Sequence, residues 1–185
     1  MKKTVVSALF AIAMAFTAVL STSCQNEESQ KELLLKQLEI ENMETPLDQE
    51  INFNIYDPDL KSVTNFRSRY SSEPEGAMGE HVFITFFLSE TGEIWQLSFI
   101  SSDVASCDVG YDIRAQKARL VNTTSSWAPS SEDRYLVDIT GDIALKEKDE
   151  DRLVLRFNRV LVPSIYGNKN DEFIFNGDIV IELTK

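Results

Sequence analysis

The spacing of apolar residues changes character along the chain. Thr4 to Leu20 is an uncharged run of roughly 17 residues, the lower limit for crossing a bilayer. Ser29 to Asn42 opens on Ser29-x-x-Glu32, a capping-box pattern, and continues with Leu33, Leu34, Leu35, Leu38 and Ile40. These form no single helical stripe, and Leu38 and Ile40 alternate with Glu39 and Glu41. The pattern predicts one or two helical turns in a polar tether that ends in a short strand.

From Ile51 onward the period is two. Ile51, Phe53 and Ile55 alternate with polar neighbours, and Asp57-Pro58-Asp59 supplies a turn. Leu60 to Gly79 reads as irregular, with an exposed loop at Ser71 to Gly76. His81 to Ser89 and Ile94 to Ser101 flank Glu90-Thr91-Gly92-Glu93 and predict a hairpin. Pairing Ser89 with Ile94 sets Leu88 opposite Trp95, Phe86 opposite Leu97 and Ile84 opposite Phe99, all on one face. The other face, with Phe83, Phe87, Ile94 and Ile100 among Thr85, Gln96 and Ser98, is only half polar. That composition predicts a central position in the sheet or a second covering layer.

Thr140-Gly141 and Asn176-Gly177 resemble hairpin turns, yet parity points the other way. A two-residue turn at Thr140-Gly141 would set Ile139 against Asp142 and mix the faces. Read straight through, Tyr135, Val137, Ile139, Gly141, Ile143 and Leu145 share one face, as do Phe173, Phe175, Gly177, Ile179, Ile181 and Leu183. Two long strands, each bent at its central glycine, are therefore expected. Tyr111 to Val121 and Arg152 to Pro163 complete the set, the latter with Leu153, Leu155, Phe157 and Leu161 on one face. The sum is an all-β domain over residues 46–185, with seven to eight antiparallel strands in a strongly coiled sandwich or a lipocalin-like barrel.

Charge narrows the partners. Eighteen Lys+Arg against 30 Asp+Glu give a formal net charge of −12, which disfavours nucleic acid. Hydrophobic residues make up 43% of the chain, enough for a folded core.

The N-terminus carries the most specific signal. Lys2 and Lys3 precede the apolar run, and the small residues Ser21, Thr22 and Ser23 close it before Cys24, the layout of a cleaved export signal over residues 1–23. Leu20-Ser21-Thr22-Ser23-Cys24 resembles the signal of bacterial lipoprotein precursors, with Leu20 one position further from the cysteine than is usual in that family. The acidic Gln25-Asn26-Glu27-Glu28 is similar to the surface-export stretch of lipoproteins of the Bacteroidota. The resemblance implies lipidation at Cys24, a tether over 24–45 and anchorage in the outer membrane facing the exterior, with the periplasmic face as the alternative. Two or three acyl chains would hold the protein stably. The resemblance extends over about the first 28 residues and carries no information about the β domain.

Candidate chemistry in that domain is sparse. Lipidation of Cys24 leaves Cys107 without a disulfide partner, and His81 is the only imidazole, so zinc chemistry and a Cys107/His81 dyad are not expected. Neither a nucleophile elbow nor a nucleotide-binding glycine fingerprint is present. Asn168, Asn170, Asp171 and Glu172 crowd oxygen atoms without an EF-hand pattern, so no metal and no cofactor is expected. Trp127, in the polar stretch 122–131, and Tyr166 beside Gly167 are the candidate ligand-binding residues, because aromatic faces on loops stack on sugars and apolar groups. The expected function is noncatalytic binding of a protein or glycan partner. The alternative is carriage of a small hydrophobic ligand inside a barrel lined by some of the 11 Phe.

Overall fold

The computed structural model describes residues 27–71, 80–101, 117–124, 137–164 and 172–183. The chain divides into two units, 1–36 and 37–185. Helix α1 (Glu27–Glu44) runs for 18 residues, far beyond the one or two turns expected and with no strand at its end. No proline interrupts this stretch and most of its residues are straight-chain Leu, Glu, Lys and Gln, strong helix formers that outweigh the imperfect stripe. No described helix is long and apolar enough to cross a membrane.

Residues 37–185 are mostly β. Among the described residues ten strands form two antiparallel five-stranded sheets, a count above the seven to eight expected. The first sheet has the order β2-β1-β10-β9-β8 and the second β3-β4-β5-β6-β7. The strands are β1 (Asn54–Tyr56), β2 (Ser62–Val63), β3 (Phe66–Ser71), β4 (Glu80–Leu88), β5 (Glu93–Ser101), β6 (Lys117–Asn122), β7 (Val137–Asp138), β8 (Thr140–Lys148), β9 (Arg152–Pro163) and β10 (Glu172–Glu182). The extra strands come from Leu60 to Ser71, a stretch without a clear period in the sequence, and from a break at Ile139 that divides one expected strand between the two sheets.

The inner faces of both sheets share one core. Phe86 of the second sheet packs on Phe173 and Phe175 of the first, with ring centroids 5.3 and 5.8 Å apart, and Trp95 lies 5.1 Å from Phe173. Ile84, Leu97, Leu120, Leu145, Leu155 and Phe157 are all buried around them. At one corner the sheets are tied by an isolated bridge between Tyr70 and Leu183 and by Ser68 Oγ donating to Val180 O at 2.6 Å.

The β4–β5 hairpin has the predicted faces in a register displaced by two residues. Phe86 pairs with Trp95, Ile84 with Leu97 and Val82 with Phe99. A two-residue shift leaves every side chain on its original face, so parity cannot detect it. The turn decides: Ser89 to Gly92 form the loop, the Gly92 N–H donates to Leu88 O at 2.8 Å, and Gly92 takes φ +72° in its last position. The expected pairing would have placed glycine one residue before the loop's end.

The straight-through reading holds at Gly177, inside the continuous β10, whereas at Gly141 the chain makes no hairpin but the expected long strand is broken at Ile139, leaving Gly141 near the start of β8. Each lies within a strand at positive φ, +95° and +99°. A Cβ on Gly177 would stand 2.2 Å from Asn52 O, and one on Gly141 2.4 Å from Arg159 O. Phe173, Phe175, Ile179 and Ile181 face the core as predicted, as do Ile143 and Leu145. On β9 the parity changes partway. Asn158 and Arg159 together oppose Asn176, a bulge in which Arg159 takes φ +50°, and beyond it Val160 and Val162 fill the core. Leu161 is therefore turned away from Leu153, Leu155 and Phe157, contrary to the period-two expectation.

Candidate functional site

Two polar constellations stand out, one on the outer face of each sheet. On the first sheet Arg156 of β9 pairs in register with Asp178 of β10. Arg156 is 3% exposed, and all five of its N–H donors are used. Nε reaches Asp178 Oδ1 at 2.7 Å and Nη2 reaches Oδ2 at 2.9 Å. Nη1 donates to Thr45 O and Pro46 O at 3.1 and 2.9 Å, and Nη2 also donates to Gln49 O.

Asp178 is as fully engaged. Its carboxylate also accepts from Lys146 Nζ at 2.6 Å and from the Ile51 N–H at 3.0 Å. Burial pushes this carboxyl up, but the hydrogen bonds from Arg156, Lys146 and Ile51, with the guanidinium charge, outweigh it and hold Asp178 below its ordinary value. A carboxylate tuned this way is a poor proton donor, and its oxygens are already occupied. The cluster's work is to clamp the segment after α1 onto the sheet. Beside it, buried Asn176 accepts from Arg159 N at 3.1 Å and from Asn42 Nδ2 at 2.9 Å, tying the β9 bulge to the C-terminal half of α1.

The outer face of the second sheet is different: Gln96 Nε2 donates to Thr85 Oγ1 at 3.3 Å, but the arginines there meet no described carboxylate. Strand pairing lays them out in three rows. Phe87 lies opposite Ile94. Arg67, Thr85, Gln96 and Val121 form the next row, and Arg69, Phe83, Ser98 and Arg119 the third. Phe87 and Ile94 remain 37% and 40% exposed although they sit on interior strands. The Arg69 guanidinium lies 4.9 Å over the Phe83 ring, a cation–π contact that holds it in place. Among the described residues neither Arg67, Arg69 nor Arg119 pairs with a carboxylate, and Arg119 Nε is buried without a hydrogen bond.

No family model, curated protein or solved structure matches this chain. Among the described residues no group of His, Cys, Asp and Glu is placed to hold a metal ion.

Cys24, Cys107, Trp127 and Tyr166 lie outside the described residues, as do Asn168, Asn170 and Asp171. Their neighbourhood is partly legible: Thr124 Oγ1 accepts from the Ile94 N–H at 2.6 Å, and Thr123 N donates to Ile94 O at 2.7 Å. Thr123 and Thr124 thus lie beside Ile94 at the end of β6. The half-polar face of the hairpin was evident in the sequence, and β4 and β5 are indeed interior strands. The arginines escape the sequence reading because Leu60 to Gly79 reads as irregular, although the alternation of Phe66, Ser68 and Tyr70 with Arg67 and Arg69 is a period-two signal.

Proposed function

We propose that this chain is a lipid-anchored lipoprotein, displayed on the outer membrane and facing the exterior, whose noncatalytic β domain binds a protein or glycan partner through the outer face of the second sheet. The observation that carries the reading is the exposed cross-strand pair Phe87 and Ile94, flanked by arginines that no described carboxylate engages. Exposed apolar side chains rimmed by polar ones on an otherwise well-packed domain mark interaction surfaces. Trp127 is retained as a candidate contact to the partner on sequence grounds. Tyr166 is retained as a second candidate on sequence grounds alone.

The sheets are read as a sandwich. Their strand orders end at β2 and β8 and at β3 and β7, and the space between them is occupied by Phe86, Phe157, Phe173 and Phe175, each at most 1% exposed. The carrier reading needs that space for a ligand, and no described residue favours it.

The full chain, produced with its own signal and purified in detergent, tests the proposal on a glycan array and a panel of purified surface proteins. Binding that Phe87→Asp abolishes supports it. Turnover of glycoside or ester substrates, or binding indifferent to this face, overturns it. Intact mass reports the anchor, since acylation at Cys24 adds several hundred daltons that ordinary cleavage does not.

A further inference from the structure

We infer that the outer face of the second sheet takes a short acidic protein segment with apolar anchors. The inference rests on the binding role proposed above and narrows its partner. Charge complementarity is the first support. In a chain with 30 Asp+Glu against 18 Lys+Arg, the outer positions of the three rows from Arg67 to Val121 carry three arginines and no carboxylate. The one acidic residue that the register adds among the described residues is Asp138, on the short β7 beyond these rows and opposite Lys117 in the register. Arg67 and Arg69 stand on one side of the apolar centre and Arg119 on the other. A guanidinium receives a carboxylate bidentately, and Arg69 is already oriented by the Phe83 ring.

Charge distribution also sets the length of the partner. The formal net charge of −12 repels any extended polyanion, so a long uronate polysaccharide, a nucleic acid or an anionic bilayer would meet the acidic remainder of the chain beyond this face. A short segment keeps its negative charge within reach of the arginines. The apolar centre then separates peptide from sugar. Ile94 is exposed and aliphatic and offers no hydrogen bond to a hydroxyl, so a sugar laid over it would bury unpaired polar groups. Leu, Ile or Phe side chains of a peptide bury apolar surface there instead.

The test uses the full chain in detergent against an array of acidic 12-residue peptides carrying Leu, Ile or Phe anchors, with Gln-for-Glu copies and soluble alginate as competitor. Acidic peptides are expected to bind and their Gln copies to bind at least about tenfold more weakly, as is expected when charge pairing sets specificity. The double variant R67E/R69E should lose the acidic peptides by a similar factor with an unchanged melting temperature. Equal binding of the Gln copies, no binding of acidic peptides, or indifference to R67E/R69E overturns the inference. Competition by alginate that Phe87→Asp removes also overturns it, assigning the face to a glycan while the binding role stands. Failure of every protein and glycan on the panels above sinks that role separately.

Discussion

Arg156 and Asp178 face each other across β9 and β10 as a two-point pair, Nε to Oδ1 at 2.7 Å and Nη2 to Oδ2 at 2.9 Å, beneath the carbonyls of Thr45, Pro46 and Gln49. A buried ion pair of this kind is costly to break from one side, because the surviving charge keeps its desolvation penalty. Arg156→Met is expected to destabilise the domain by about 3–5 kcal/mol. The double variant Arg156→Met/Asp178→Leu should recover part of that loss. Urea unfolding of the three proteins checks both statements.

The same pair predicts an acid limb in stability. Asp178 has a folded-state pKa below its unfolded value of about 3.9, so its contribution is fully present above that value and lost as the pH falls through the folded one. Unfolding free energy followed from pH 6 down to pH 2 should decline more steeply for the natural chain than for Asp178→Asn. Parallel curves would show that Asp178 gains nothing from its partners.

Glycine is required at Gly177 for two reasons and at Gly92 for one. Both have positive φ, but a Cβ at Gly92 meets nothing within 4 Å, whereas at Gly177 it would stand 2.2 Å from the backbone of Asn52. Gly92→Ala should cost only the left-handed penalty of about 1–2 kcal/mol. Gly177→Ala should cost more, since Asn52 and strand β1, which follows it, must move. Thermal melts rank the two, and equal costs would mean that Asn52 gives way freely.

Opposite faces of one hairpin should respond in opposite ways. Ile84→Ala empties a core position and is expected to cost about 2–5 kcal/mol. Ile94→Asp, on the exposed face, should change stability by less than about 1 kcal/mol yet reduce partner binding. Paired measurement of melting temperature and affinity separates the two effects.

Anchorage follows from Cys24 alone in the proposed reading. Cys24→Ala should shift the protein from the membrane fraction to the soluble fraction, because removing the acylation site removes the hydrophobic attachment. Persistent membrane association of that variant would transfer the anchor elsewhere.

The sequence by itself determined the two-residue period, the β class, the faces of β4, β5 and β10, and the straight passage through Gly177. All of these depend on side-chain alternation, which is local and survives without knowledge of neighbours. It was silent where alternation is degenerate or interrupted. The β4–β5 hairpin slid by two residues without changing a face, and the position of Gly92 in its loop selected between the registers. On β9 the bulge at Asn158 and Arg159 reversed the parity of Leu161, a step set by the adjacent Asn176 and Gly141 rather than by β9 itself. The tertiary structure alone decided the pairing of Arg156 with Asp178, and the union of Arg67, Arg69, Phe87, Ile94 and Arg119 on one surface. Those residues come from four strands, and only the order β3-β4-β5-β6 makes them neighbours. Strand order is fixed by the joint burial of both inner faces, which no single segment's pattern contains.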